Sequence, residues 1–450
     1  MTHPGATRAL AARIADTQFD ALPANAREVA KQCLLDFIGV TLAGADEPLA
    51  RILLDDAAAL GGHAQASLIG RDRRVTLDQA ALINGAAGHA HDYDDVHMAM
   101  NGHPTVPVAP AALALAEHLG KTGRDLIAAF AAGVDAECIV GHYLGQSHYA
   151  VGFHATGTLG TFGAAAASAR LYGLDRDATA AAFGIAGTQA AGLKSQFGTM
   201  CKPLHAGHAA QTGLAAARLA SRGFESRRDI LETEQGFAAT QSTTAALDRF
   251  DDALAVPTYL PDVCFKYHAA CYLTHSSIEA TRSLVEQNRF GPNDVTEVEV
   301  TVNRGHFGVC NIPEPATGLE AKFSLRFTTA MALAGEDTSS IDVYTDALVR
   351  DPALLALRDK VAVSAWPNAR AQSRVRVHAH GEDWVAETNV GIPLTDLDVQ
   401  WHKLARKFHA LADPRIGAAA AIELAAMVRS LETLDALGPL FALMARARAR

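Results

Sequence analysis

The chain is short of aromatic side chains, short of positive charge and without closely paired cysteines. Phe, Trp and Tyr make up 6% of its 450 residues, while 49% are hydrophobic. A core poor in rings is filled by small side chains, and the abundant Ala and Gly favour closely packed helices. The six cysteines, Cys33, Cys138, Cys201, Cys264, Cys271 and Cys310, contain no C-x-x-C pair. Free thiols in a reducing, cytoplasmic setting are the expectation. The net charge of −10 excludes the basic footprint of a nucleic-acid binder. An anionic ligand must then be held by a local cluster of positive groups, not by the overall field. The opening residues, Met-Thr-His-Pro-Gly-Ala-Thr-Arg, lack the basic-then-apolar profile of a signal peptide. Uncharged runs such as Ala178–Leu193 are shorter than a bilayer span, so no membrane segment is expected.

What the chain does have is concentrated in residues 89–104. This stretch carries His89, His91, His97 and His103 with Asp92, Asp94 and Asp95, directly after an Ala/Gly-rich helical run. Burying so many titratable groups unpaired is costly. Proton-transfer groups gathered between apolar segments point to an active site.

At this length two or three structural units are expected. Residues 1 to about 262 read as mostly helical. Asn25 followed by Glu28 predicts a capping box, with Val29, Cys33 and Phe37 at helical spacing behind it. Thr76-Leu-Asp-Gln79 predicts a second helix start. Further helices are expected over 104–119, 124–143, 158–172, 176–189 and 206–222. The character changes after about residue 290. Val298, Val300 and Val302 alternate with Glu297, Glu299 and Thr301, the pattern of a half-buried strand. Residues 373–379 and 384–388 read as a hairpin turning at Gly381-Glu-Asp383, and helix returns from Asp396. The fold expectation is mainly α: a large all-helical domain from both chain ends, residues 1–265 and 396–450, with an inserted smaller α+β lid domain, residues 266–395. A cleft between such units is a natural ligand site.

Four segments mix Lys, His or Tyr with Gly: 89–104, 145–160, 197–208 and 265–275. Glycine lets a ligand approach the backbone, and Lys and His hold carboxylates and move protons. Together with Glu320-Ala-Lys-Phe-Ser324, Pro393-Leu-Thr-Asp and Lys407-Phe408, these segments resemble, in order and over nearly the whole chain, the MmgE/PrpD family. That family includes 2-methylcitrate dehydratase, cis-aconitate decarboxylase and iminodisuccinate epimerase. The resemblance implies a helical domain plus an α+β lid, a homodimer, and proton chemistry on small di- or tricarboxylic acids with no cofactor, metal or nucleotide.

Carried over residue by residue, it implies Asp92, His103, His154 and Lys202 as catalytic residues, with Tyr149 a further candidate. Lys202 is implied as general base or carboxylate anchor. His275, Lys266 and Arg326 are implied as substrate contacts. Two positions depart from the family pattern. Val96 stands where cis-aconitate decarboxylating members carry Thr, and Phe327 where many members carry Tyr. Phe can donate neither a hydrogen bond nor a proton, so these changes point away from decarboxylation.

The chemistry expected is removal of a proton next to a carboxylate, which needs a base and a way to stabilise the enediolate. A dehydratase-like lyase is the leading expectation, with an epimerase or decarboxylase as the alternative. A remoter alternative is a metal-dependent hydrolase on His89, His91 and His97. Asp94 and Asp95 are expected to cap turns or pair with arginine. His97 is expected at a rim, His205 and His208 in local packing, and Cys271 to be inert.

Overall fold

The computed structural model describes residues 5–288, 290–367 and 371–446. The first four and last four residues, expected in the helical domain, lie outside the described residues, as do 289 and 368–370. The protein is 60% helix and 9% strand, which makes it mainly α as expected. It divides into two compact units. The larger comprises Met1–Ala90, Asp94–Val263 and Thr395–Arg450, and the smaller His91–Tyr93 and Cys264–Leu394.

In the larger unit Val29, Cys33 and Phe37 are buried on the helix Ala24–Gly44. Its start differs from the expectation. Pro23 precedes the first turn, Asn25 forms no capping box, and Glu28 pairs instead with Lys31 at 3.0 Å. Proline fixes the backbone angle that a helix start needs, so a side-chain cap was dispensable. Thr76 and Gln79 do form the expected capping box, opening the helix Leu77–Gly88. The helix Gly123–Leu144 is long and apolar enough to cross a membrane, yet its most apolar window is 94% buried inside the protein. That burial makes it a core helix here.

The largest local departure concerns the helix Cys201–Ala220, which begins five residues before the expected 206. Thr199 Oγ1 accepts the Cys201 amide at 3.2 Å and so starts the turn. Pro203 lies in the first turn, where its missing N–H is harmless. Lys202 and His205 therefore ride on a rigid helix, not a loop. This helix packs on Leu77–Gly88 and on Ala155–Tyr172. The first crossing is very close: a Cβ on Gly207 would lie 2.1 Å from the Leu82 carbonyl oxygen. Gly207→Ala is therefore expected to destabilise the protein by roughly 1–3 kcal/mol through overpacking. Urea unfolding checks this, and an unchanged midpoint would show that the crossing has room.

The smaller unit holds a four-stranded sheet. β3 (Val295–Val302) lies between β4 (Val361–Ala365), which runs parallel to it, and β5 (Gln372–Ala379), which is antiparallel; β6 (Glu382–Asn389) pairs with β5. A short pair in the larger unit, β1 (Ala66–Ser67) and β2 (Arg74–Val75), precedes these in the chain. Val298, Val300, Val302, Val375 and Val377 are fully buried, as the alternation predicts. The opposite face carries Arg376, paired with Glu297 and Asp383. The hairpin turns at His380-Gly381, one residue earlier than expected. Both have positive φ, 54° and 80°, the geometry of a tight two-residue hairpin turn. The family-like run Glu320–Ser324 proves to be local architecture. Ser324 caps the helix Leu325–Ala334 and donates to the Ile312 carbonyl at 2.7 Å.

Candidate active site

The histidine-rich stretch begins at His89, which closes the helix Leu77–Gly88. Further along, His97 and Gly102 form an isolated antiparallel bridge, with the His97 amide donating to the Gly102 carbonyl at 2.9 Å. His97 is buried, not at a rim. Its Nδ1 accepts the Ala99 amide at 3.1 Å, so Nε2 carries the proton and donates to the Tyr259 carbonyl at 2.9 Å. Both ring nitrogens are committed, which removes His97 from any metal triad with His89 and His91. Asp95 accepts the Thr105 amide at 3.2 Å and the Thr105 hydroxyl, tying the loop to the helix Thr105–Leu119 as a cap. Burial pushes its carboxyl up to about 7.

Asp94 does not meet an arginine. Its oxygens lie 2.9 and 3.0 Å from His89 Nδ1, and Oδ2 lies 2.9 Å from His103 Nδ1. The His103 amide is fixed by Thr156 Oγ1 at 3.1 Å. His154 stands just before the helix Ala155–Tyr172. Its carbonyl accepts the first helical amides, from Gly157 and Thr158, and its own amide donates to Gly192 at 3.0 Å. The His154 and His205 Nδ1 atoms are 3.0 Å apart, so one donates and the other accepts. The rings of His89 and His103 meet edge-on at 4.6 Å, and those of His89 and His154 stack at 5.9 Å. Lys202, buried in the first turn of its helix, places Nζ 5.4 Å from the centre of the Phe197 ring, which also packs edge-on against His154 at 5.0 Å.

The electrostatics follow from burial first and charge second. Burial lowers His89 to about 4, with Lys202 and His103 adding to the effect and Asp94 opposing it. Burial, then Lys202 and neighbouring histidines, hold His154 well below the usual imidazole range. His205 is lowered by burial, then by His208 and Lys202. Near neutral pH these three rings are uncharged beside an ammonium. Such a cluster accepts protons and holds an anion. His89, Asp94 and His103 also bring donor atoms within 4.8 Å of one another. Asp94 already meets two imidazoles there, and the Lys202 charge acts on His89 and His154.

The larger unit thus brings His103, His154 and Lys202 into one neighbourhood. Tyr149 sits half-buried on the short helix Gln146–Val151, with the Lys194 ammonium 3.9 Å above its ring. Its neighbour His148 points inward and spends both nitrogens on Gln241 and Thr158.

In the smaller unit Asp92 adopts a left-handed backbone, φ 53°, and pairs with buried Lys266 at 3.1 Å. Lys266 also donates to the Asp92 carbonyl. His275 is buried against His268 and Tyr272, with Nε2 3.2 Å from the Ala270 carbonyl. Arg326 Nε donates to the Val361 carbonyl at 3.1 Å, joining its helix to β4. Val96 and Phe327 are both buried. The sequence reading missed His89, Asp94 and His205 as members of the larger unit's cluster. The crowding of histidines was visible, but which imidazole meets which carboxylate depends on the loop path.

Comparison with known proteins gives two domain matches that follow one another along the chain. Residues 8–249 match the MmgE/PrpD N-terminal domain and residues 268–433 the MmgE/PrpD C-terminal domain. The human cis-aconitate decarboxylase is 28% identical over 353 residues, covering 75% of this chain and 72% of that protein. The Aspergillus terreus cis-aconitate decarboxylase is 26% identical over 463 residues, covering 94% and 93%. The cis-aconitate decarboxylase-like protein oryM of Aspergillus oryzae is 32% identical over 282 residues, covering 58% of each. With both domains matched in order, the chain belongs to the MmgE/PrpD family.

Proposed function

We propose that the protein is a cofactor-independent lyase that removes a proton alpha to a carboxylate of a small di- or tricarboxylic acid, in the manner of a 2-methylcitrate dehydratase. The observation that carries this reading is the buried ammonium of Lys202 among the neutral rings of His89 and His154, beside His103. A C–H next to a carboxylate becomes acidic enough to remove only when the charge forming on the carboxylate oxygens is met by a fixed positive group. Lys202 is that group on this reading, acting as anchor. A neutral imidazole nitrogen then takes the proton. A second protonated group helps the hydroxyl leave as water. Asp92 and Tyr149 are further proposed proton-handling residues, and Lys266, His275 and Arg326 proposed carboxylate contacts. Residues 266–395 acting as a lid, a homodimeric assembly and a cytoplasmic location belong to the same proposal.

A second reading, decarboxylation, is favoured by the names of the relatives. Against it stand Val96 and Phe327, neither of which can donate a hydrogen bond from its side chain. Proton NMR in D₂O with citrate, 2-methylcitrate, cis-aconitate and iminodisuccinate separates the readings. A dehydratase forms an alkene and water from a hydroxy acid. A decarboxylase releases CO₂ from cis-aconitate. An epimerase places deuterium in recovered substrate. Turnover of cis-aconitate to CO₂ with no hydroxy acid consumed would overturn the dehydratase proposal.

A further inference from the structure

The least expected feature of the cluster is that one carboxylate serves two imidazoles. Asp94 is 1% exposed, and its side-chain partners among the described residues are His89 and His103. Burial alone would raise its carboxyl, but His103 and His89 hold it well below the usual range. An ionised carboxylate can only accept, so the Nδ1 atom facing it must carry a proton. In His89, whose Nδ1 makes that hydrogen bond, this leaves the lone pair on Nε2.

For His89 the consequence is sharp. Its side chain is fully enclosed, and Nε2 has no partner among the described residues. Buried polar atoms in folded proteins are nearly always satisfied, and an unsatisfied one calls for an explanation. A purely structural histidine would have found a partner for that nitrogen, as His97 and His148 do for both of theirs. His89 also lies against His103 and His154, with the Lys202 charge close enough to act on it.

We propose that Asp94 is a positioning residue that fixes the tautomer of His89, so that it offers Nε2 as a proton acceptor. His89 is then a second acceptor imidazole, enclosed behind the more exposed His103. In the proton step the substrate C–H bond breaks and leaves its electron pair on the substrate as an enediolate, the Nε2 lone pair bonds the proton, the ring becomes an imidazolium, and its charge is balanced by the Asp94 carboxylate already on Nδ1. The arrangement resembles a carboxylate–histidine dyad. Within the larger unit, Asp95, His154 and Lys202 are titratable groups that act on this pair.

The inference rests on the proposed proton-abstraction chemistry, and its test has one arm that does not. Asp94→Asn keeps the shape but lets the amide NH₂ donate to Nδ1, which reverses the tautomer. The expected result is a fall in kcat of about 10²-fold or more with KM nearly unchanged. Losing the carboxylate also disfavours the imidazolium, so the acidic limb of the kcat/KM profile moves to lower pH. Asp94→Glu should restore part of kcat. A folded Asp94→Asn enzyme with the kcat and pH profile of the parent would overturn the proposal. The independent arm is ¹⁵N NMR of histidine-labelled parent protein, with His89→Gln and His103→Gln to assign the signals. The proposal requires the Nδ1–H tautomer at His89. An Nε2–H tautomer there would sink it whether or not a substrate has been found, while absence of turnover with every acid tried would count against the proposed function alone.

Discussion

Replacing Lys202 with alanine is expected to lower turnover by at least about 10²-fold, the scale of a lost base or of a lost donor to a developing oxyanion. The reason lies in where the ammonium sits. Lys202 occupies the first turn of the helix Cys201–Ala220, buried, at the end where the helix dipole disfavours a cation. A stability-driven sequence would place an acid there. Removing the charge should therefore leave folding unchanged or raise stability slightly, so a loss of activity reports on chemistry. The pH profile supplies a second sign. Lys202 depresses His154, His89 and His205, in each case after burial. Without it those imidazoles bind protons more readily, and the acidic limb of kcat/KM moves to higher pH. That direction is opposite to the one expected for Asp94→Asn. Lys202→Arg keeps the charge but not the point geometry, and should recover the pH profile better than the rate. Near-normal turnover in Lys202→Ala would refute the assignment.

The mainly helical build and the strand alternation of β3 could be read from periodicity, because both depend on the residue's own neighbours along the chain. Val298, Val300 and Val302 are buried where a period of two puts them. What periodicity could not show was pairing across distance. β4 is only five residues, Val361–Ala365, and exists because β3 offers it a parallel edge. The start of the helix Cys201–Ala220 was hidden by Pro203 and the glycines around it, which read as loop until Thr199 Oγ1 is seen to accept the Cys201 amide. Within the candidate site, residue types were legible and roles were not. Asp94 and Asp95 are adjacent and alike in sequence, yet one grips two imidazoles and the other caps a helix through Thr105. Glu137 shows the same limit. It falls inside an apolar helical run, neither carboxylate oxygen has a partner among the described residues, and burial raises its pKa well above the usual carboxylate range.

The second large effect is expected on stability, at a residue that the resemblance carried without a role. Lys407 Nζ lies 2.7 Å from Asp36 Oδ1, with the two side chains 4% and 3% exposed. The pair joins the helix Leu397–Ile416, near the end of the chain, to the helix Ala24–Gly44, near its start. Next to it Phe408 packs so closely on Gly39 that a Cβ there would stand 3.1 Å from the ring. Lys407→Met keeps most of the volume and removes the charge, leaving a carboxylate buried without its cation. Breaking one side of such a pair costs about 3–5 kcal/mol. Urea or thermal unfolding should show it as a large drop in midpoint. Adding Asp36→Leu should recover much of the loss, because an apolar pair of similar size leaves no charge to solvate. A Lys407→Met protein as stable as its parent at neutral pH would mean that Asp36 finds another cation or water, and that the two chain ends are held together by the Phe408–Gly39 contact and its apolar surroundings alone.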